Sequence, residues 1–522
     1  VEVSALIVGL VAIVVAAEAL ARRLGLLAPV LLVAVGVAIS YVPDFPTIRL
    51  DPEFVLLGIV PPLLFVAALE TSVPAVRYNI RPILLLAVGL VLFTAAAVGL
   101  VVHALMPGLP LAVCLALGAA VAPPDAIAAT AIARRIGLPR RMVTVLEGES
   151  LLNDAAALVL FRVAVFAAVG EAAGAIDITR EAVVATGGGL LVGAVGAVAL
   201  AFLHKRTSDP LIDNSISLLT PFLIVLAAEA IHASGIVAVV VAGLYLGHRM
   251  PTLMSAASRL QMGAVWKIVK YVLEGLVFLL VGLQLREVVT RLDTPFAQVV
   301  GYTAAVLGTV VVTRFGWMYP ATYLPRIVPA VRRRDPSPPW TVPTVIAWAG
   351  MRGVITLATA LALPLTLADD TAYPRELLIW LAFAVILGTL GLQGTTLPAV
   401  ARWLRPPADD PIQDALAEAE VQYAASRAAR ERLDRSADSA PPEVVERLRR
   451  LADSRSNTAW ERLGGGTETP SRAYVRLRRE MLLAEREVFR AARDRGRIAE
   501  EVLIKAQRDM DLEEASLERG DR

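Results

Sequence analysis

The chain has 522 residues, is 56% hydrophobic and carries a formal net charge of +2; its mean hydropathy is +0.63. That is too apolar for a soluble protein of ordinary composition, and the arginine clusters are short loop groups that give no footing for nucleic-acid binding. The single cysteine, Cys114, excludes an intrachain disulfide and a cysteine-based metal centre, and reads as a small apolar filler.

Apolar runs long enough to cross a bilayer recur through roughly the first 400 residues, which excludes a lone signal peptide. Thirteen spans are expected, at 4–20, 26–42, 54–70, 83–106, 111–131, 144–169, 183–203, 215–231, 234–248, 265–285, 297–324, 342–364 and 376–401. Basic loops set the orientation. Arg22 and Arg23 follow the first span, and Arg77 and Arg81 the third. Arg134, Arg135, Arg140 and Arg141 follow the fifth, Lys205 and Arg206 the seventh, Arg249 and Arg259 the ninth, and Arg332, Arg333 and Arg334 the eleventh. Counted in order, all these loops fall on one side. The opposite loops carry Asp44, Asp51 and Glu53, then Glu171, Asp177 and Glu181, then Asp369 and Asp370. The expectation is a multi-pass protein of the inner (plasma) membrane, N-terminus outside and C-terminus cytoplasmic.

Two spans contain breaks. One carries Pro123-Pro124-Asp125 and the other Gly350-Met351-Arg352-Gly353. Interrupted spans at matching places in two halves point to an inverted-repeat transporter with its site at the midplane. Spans four to six and eleven to thirteen are the matching triplets. The fold class expected is therefore an all-α polytopic membrane protein with two broken crossing helices. After Arg405-Pro406-Pro407 the composition turns to Ala, Arg and Glu with helical patterning, interrupted near Pro441-Pro442 and at glycines 464–466. This divides the chain into a membrane domain, 1–404, and a cytoplasmic helical tail, 405–522, with a dimerising or regulatory role.

Ionised carboxylates at bilayer depth cost several kcal/mol each unless paired, solvated or protonated. Asp125, Glu149 and Asp154 are therefore the candidate functional acids. On a helix Ser150 and Asp154 share a face, and Glu149 and Asn153 share another about 100° away. The first face offers a hydroxyl and a carboxylate to a hard cation; the second offers an acid and an amide to a structural partner. At the break beside Asp125, freed carbonyls can join the ligand set. Arg314 and Arg352 stay charged within apolar spans, so each needs a partner. Arg352 answers either to helix ends meeting at the second break or to Asp125. Among the histidines, His232 reads as interfacial, His103 and His204 as span ends, and His248 as a loop residue.

The strings Ala122-Pro123-Pro124-Asp125, Gly137-Leu138-Pro139-Arg140-Arg141, Leu146-Glu147-Gly148-Glu149-Ser150-Leu151-Leu152-Asn153-Asp154, Pro61-Pro62-Leu63-Leu64-Phe65 and Gly350-Met351-Arg352-Gly353 resemble the NhaP/NHE-type sodium/proton exchangers. The resemblance covers about residues 4–401. It implies that Asp154 binds the transported ion, with Ser150 and Asp125 contributing around it, Asp125 directly or through water. It implies a structural ion pair between Glu149 and Arg314, and an Asn153 hydrogen bond across the broken helices. Many members have Thr-Asp-Pro at the first break. Here Pro124-Asp125-Ala126 leaves only the Pro124 carbonyl. Some relatives carry an acid where Val66 stands, and Glu70, one turn later on the same face, is the substitute. In the family, Asn-Asp at positions 153 and 154 goes with electroneutral exchange.

The function expected is an electroneutral Na⁺/H⁺ antiporter, a homodimer, working by elevator-type alternating access, with Li⁺ or K⁺ as alternative cargo. Asp154, Asp125 and Ser150 hold the cation, and no resident cofactor is expected. The rivals are a K⁺/H⁺ antiporter and a cation channel or ion sensor. An enzyme reading finds no nucleophile–base pair and no metal-ligand constellation.

Overall fold

A computed structural model describes the chain apart from residues 1, 44–50, 170–174, 208, 368–372, 438–439, 462–469, 496, 498–499 and 521–522. The loop acids Asp44, Glu171, Asp369 and Asp370 and the glycines 464–466 lie outside the described residues. The described chain is helical throughout and falls into two compact units, Val1–Ala408 and Asp409–Arg522.

In the first unit the helices are α1 (Glu2–Leu24), α2 (Ala28–Ser40), α3 (Phe54–Glu70), the short α4 (Val73–Tyr78) and α5 (Ile80–Leu105). The first break separates α6 (Leu111–Val121) from α7 (Ala126–Arg135). Then come α8 (Arg140–Val169), α9 (Ala175–Arg206), α10 (Pro210–Glu229), α11 (Gly235–Leu253), α12 (Ala256–Thr290) and α13 (Phe296–Ile327). The short α14 (Pro329–Arg334) precedes the second break, which separates α15 (Thr341–Trp348) from α16 (Val354–Leu361). The unit closes with α17 (Arg375–Leu404).

Among the described residues nine helices are long and apolar enough to cross a membrane: α1, α5, α8, α9, α10, α11, α12, α13 and α17. Three shorter apolar helices, α2, α3 and α6, accompany them. Leu191, Val195, Val198 and Phe202 of α9 are exposed. Such a run of bare apolar side chains is a lipid-facing surface, since helices satisfy their own backbone in hydrocarbon. α17 ends because Arg405 takes a left-handed conformation (φ 46°) and two prolines follow.

The helices of this unit form two packed groups. α2 packs on α1 and α12, and α11 packs on α3, α9 and α10. In the other group α6 packs on α5 and α8, and α13 on α5 and α17. Within the first group α2 and α12 meet main chain to main chain. A Cβ added at Gly36 would lie 2.3 Å from the Leu279 carbonyl oxygen, and one at Gly282 would lie 2.3 Å from that of Val33. Only residues without a side chain fit there.

On the face that bears the arginine-rich loops, one carboxylate collects three arginines. Asp335 accepts from Arg81, from Arg141 Nη2 at 2.7 Å and from Arg326 Nη2 at 2.7 Å. It ties the starts of α5 and α8 to the end of α13.

The second unit comprises α18 (Pro411–Asp434), α19 (Pro442–Glu461), α20 (Pro470–Asp494) and α21 (Glu500–Gly520). Asp410 caps α18 by accepting from Ile412 N, with Pro411 at the first helical position. α18 packs on α19 and α20 on α21. Arg478 of α20 holds Glu513 of α21 through two bonds of 2.7 and 2.8 Å.

Candidate functional site at the crossed helix breaks

Pro123 and Pro124 lack the N–H groups that α6 would need to continue, so the helix stops at Val121 and its last carbonyls lose their partners. Arg352, from the other break, answers them. Its Nε donates to Val121 O at 3.1 Å and its Nη2 to Ala122 O at 3.2 Å, while Nη1 donates to Gly350 O. The last carbonyls of α15 are answered likewise, although no proline follows that helix. There Arg314 of α13 donates from Nε to Ala347 O at 3.2 Å and from Nη2 to Ile346 O at 3.2 Å. A guanidinium thus sits at the electronegative end of each broken helix, where cations are favoured. The two breaks touch directly: Asp125 N–H donates to Met351 O at 2.6 Å.

The glycines of the second break are required by contact. A Cβ at Gly350 would fall 2.4 Å from Arg314 Cδ, and one at Gly353 would fall 2.5 Å from Asp125 Oδ2. Thr389 of α17 steadies the loop by accepting from Arg352 N–H at 3.0 Å.

α8 supplies the rest. Glu149 turns into the protein and takes Arg314 in a bidentate pair of 2.6 and 3.0 Å, both side chains essentially fully buried. Asn153 Nδ2 donates to Pro124 O at 2.9 Å, which occupies that carbonyl and pins α8 to the first break. About 100° around the helix, Ser150 and Asp154 line a cavity of ≈370 Å³ together with Asp125. Thr130 of α7, Gly353 and Thr356 join that lining, and α3 and α12, which belong to the other packed group, supply the rest. Glu70, Arg134 and Glu147 lie toward the ends of their helices that face the arginine-rich loops, Lys270 lies midway along α12, and all four line the cavity.

The two faces of α8 read from the sequence are therefore used differently: Ser150 and Asp154 face the cavity, Glu149 and Asn153 face protein. Two site residues stand elsewhere than the sequence suggests. Arg352 caps the carbonyl end of the first break as well as lying beside the second. Glu70 is not drawn in beside the deep acids. Its side chain is 59% exposed, and its Oε2 accepts from Lys270 Nζ at 2.9 Å. A helix end reaching water holds it at the rim. Sequence reasoning missed Lys270 and Glu274 of α12, both on the cavity wall. The signal was present: two charges four residues apart inside the expected span 265–285.

The arrangement has the donor types of a hard-cation site: the carboxylates of Asp125 and Asp154 and the hydroxyl of Ser150 all line the one cavity. Both nearby buried guanidinium groups are already engaged with carbonyls and Glu149.

Residues 9–403 match the family model described as sodium/hydrogen exchanger, transmembrane. The chain is similar to an uncharacterized Na⁺/H⁺ exchanger of Mycobacterium tuberculosis, 35% identical over 98% of this chain and 95% of the relative. It is 33% identical to a sodium, potassium, lithium and rubidium/H⁺ antiporter of Bacillus pumilus, over 72% of this chain and 57% of the relative. The solved structure of the sodium proton antiporter MjNhaP1 from Methanocaldococcus jannaschii shares the fold. Its TM-score is 0.62 at 15% identity, covering 77% of this chain and 98% of that one.

Proposed function

The chain belongs to the transmembrane sodium/hydrogen exchanger family, and from that premise we propose that it exchanges one monovalent cation for one proton at Asp154, without net charge movement. The observation that carries this reading is the shared wall of Asp154, Ser150 and Asp125 at the crossing of the two breaks. Asp154 holds either a proton or a cation, and competition for that carboxylate couples the two fluxes. Asp125 and Ser150 complete the oxygen set, directly or through water, and the second lone pair of the Pro124 carbonyl is a further ligand. Glu70 serves at the cavity mouth.

The one-for-one ratio follows from Asn153. Its amide is neutral and its N–H is donated to Pro124 O, so Asp154 has no ionisable neighbour on its own helix turn. Access alternates by movement of the group that carries the breaks and α8 against the group that carries α3 and α12. The cavity opens toward the arginine-rich loops, which the positive-inside bias assigns to the cytoplasm. The protein works as a homodimer in the plasma membrane, N-terminus outside. Na⁺ is the first cargo. K⁺ is the second reading, favoured by the name of the Bacillus pumilus relative.

The test is proton flux in proteoliposomes holding an acid-inside pH gradient. Adding Na⁺, Li⁺ or K⁺ outside should collapse the gradient for the wild type and not for Asp154→Asn. An imposed membrane potential should leave the wild-type rate unchanged. Wild-type flux in Asp154→Asn would sink the site; a rate that follows the potential would sink the stoichiometry.

A further inference from the structure

Glu274 lies on α12 one helical turn beyond Lys270. Both side chains line the cavity that holds Asp125 and Asp154. Lys270 is engaged with Glu70 at 2.9 Å. Glu274 Oε1 is buried and, among the described residues, has no hydrogen-bond partner. The charged groups within electrostatic reach of Glu274 are Lys270 on its own helix, Asp125 at the first break, Glu18 on α1 and Glu70 on α3. Three of these four are acids. A buried carboxylate oxygen left without a donor, in a cavity with room for a hydrated ion, is satisfied by water or by a mobile cation.

Its place in the fold gives this acid a role of its own. Asp125, Ser150 and Asp154 all belong to the group of helices built around the breaks. Glu274 belongs to the other group, through the packing of α12 on α1 and α2. Resting on the exchanger reading above, we propose that Glu274 is a cation-affinity residue of the opposite wall, drawing the monovalent cation to Asp154 from the face that bears the arginine-rich loops. When the break-carrying group moves away, Glu274 stays behind. Its charge therefore acts on cation uptake from that one face only.

The experiment titrates Na⁺ separately from each face, using everted vesicles and right-side-out vesicles of the full-length protein. Glu274→Gln keeps the shape and removes the charge. It should raise KM for Na⁺ on the arginine-rich face roughly tenfold, with kcat within about twofold and KM on the opposite face unmoved. Glu274→Asp should restore a KM close to wild type. Lys270→Gln removes the positive charge beside it and should lower the same KM, a sign that loss of folding cannot mimic. A wild-type KM on both faces in Glu274→Gln overturns the assignment. So does an equal rise on both faces, or a fall in kcat alone, which marks a structural residue. A wild type that shows no cation-driven proton flux overturns the exchanger reading itself, and the role of Glu274 with it.

Discussion

Arg314 grips Glu149 with bonds of 2.6 and 3.0 Å in the membrane unit, and Arg478 grips Glu513 with bonds of 2.7 and 2.8 Å in the tail. The bonds are alike and the surroundings are not. The first pair is 0% and 1% exposed, the second 19% and 40%. In the tail, water stands ready to replace either partner, so the pair gains little over its separated state. In the membrane unit nothing replaces a lost partner, and an unmatched charge remains where hydration is absent. Equal hydrogen-bond geometry thus says little about energetic weight; the alternative open to each group decides it.

The comparison is broken most directly by removing one partner. Glu149→Ala or Arg314→Ala should each destabilise the detergent-purified protein by about 3–5 kcal/mol, read as a large fall in melting temperature. Glu149→Ala with Arg314→Met should recover part of the loss, because no buried charge is then left alone. Unchanged melting temperatures in both single variants would place the two pairs in one class.

Arg352→Met comes next. Val121, Ala122 and Gly350 carbonyls lose their donor, at about 1–3 kcal/mol for a buried acceptor left unsatisfied. The melting temperature should fall, and cation-driven proton flux should fall with it, since the break supports Asp125. Retained flux at wild-type stability would mean that α6 ends without help from this guanidinium.

Asp335 is the intermediate case, a half-sheltered carboxylate among arginines. Burial pushes its carboxyl up, but the hydrogen bonds from Arg141 and Arg326 outweigh that and hold it below the usual range. The folded value is the lower one. Its stabilisation is therefore complete above the ordinary carboxylate value of about 3.9 and drains as pH falls through the folded value. Asp335→Asn should lower the melting temperature at neutral pH by less than Arg352→Met does. It should also flatten the acid limb of melting temperature against pH below about pH 4. An identical acid limb in wild type and variant would remove Asp335 from the account.

The smallest effect belongs to the tail. Arg478→Ala should shift the melting temperature little in low salt and not at all in molar salt, where exposed charges are screened. A salt-resistant loss would show that this pair is dry in the working protein.

Much of the membrane unit was legible because its causes are local. Pro123-Pro124 stops a helix wherever it occurs, and Gly350-Met351-Arg352-Gly353 marks the second break in an apolar span. The faces of α8 follow from the helical repeat alone. The specificity of the Glu149–Arg314 pair came from resemblance, since 165 residues separate the two. Contacts made across the fold were not legible. Arg352 could be placed near a break but not assigned to the carbonyls of α6, and Asp335 could not be matched to Arg81, 254 residues away. Glu274 was passed over because α12 carries no familiar string. The rule that flagged Asp154, a charge inside an apolar span, applies equally to it.

The contact between α2 and α12 at Gly36 and Gly282 bears on how wide the ion route is. Glu274 sits two helical turns before Gly282 on the same helix. With backbone resting on backbone, α12 cannot move closer to α2 at this crossing. A single methyl at either glycine would act as a shim, forcing the two helices apart and shifting the stretch of α12 that carries Glu274 and Phe278 along the cavity. The calibre of the passage thus answers to two residues that do not line it. Gly282→Ala should show itself first as discrimination against larger cations, K⁺ before Na⁺, with little change in the chemistry at Asp154.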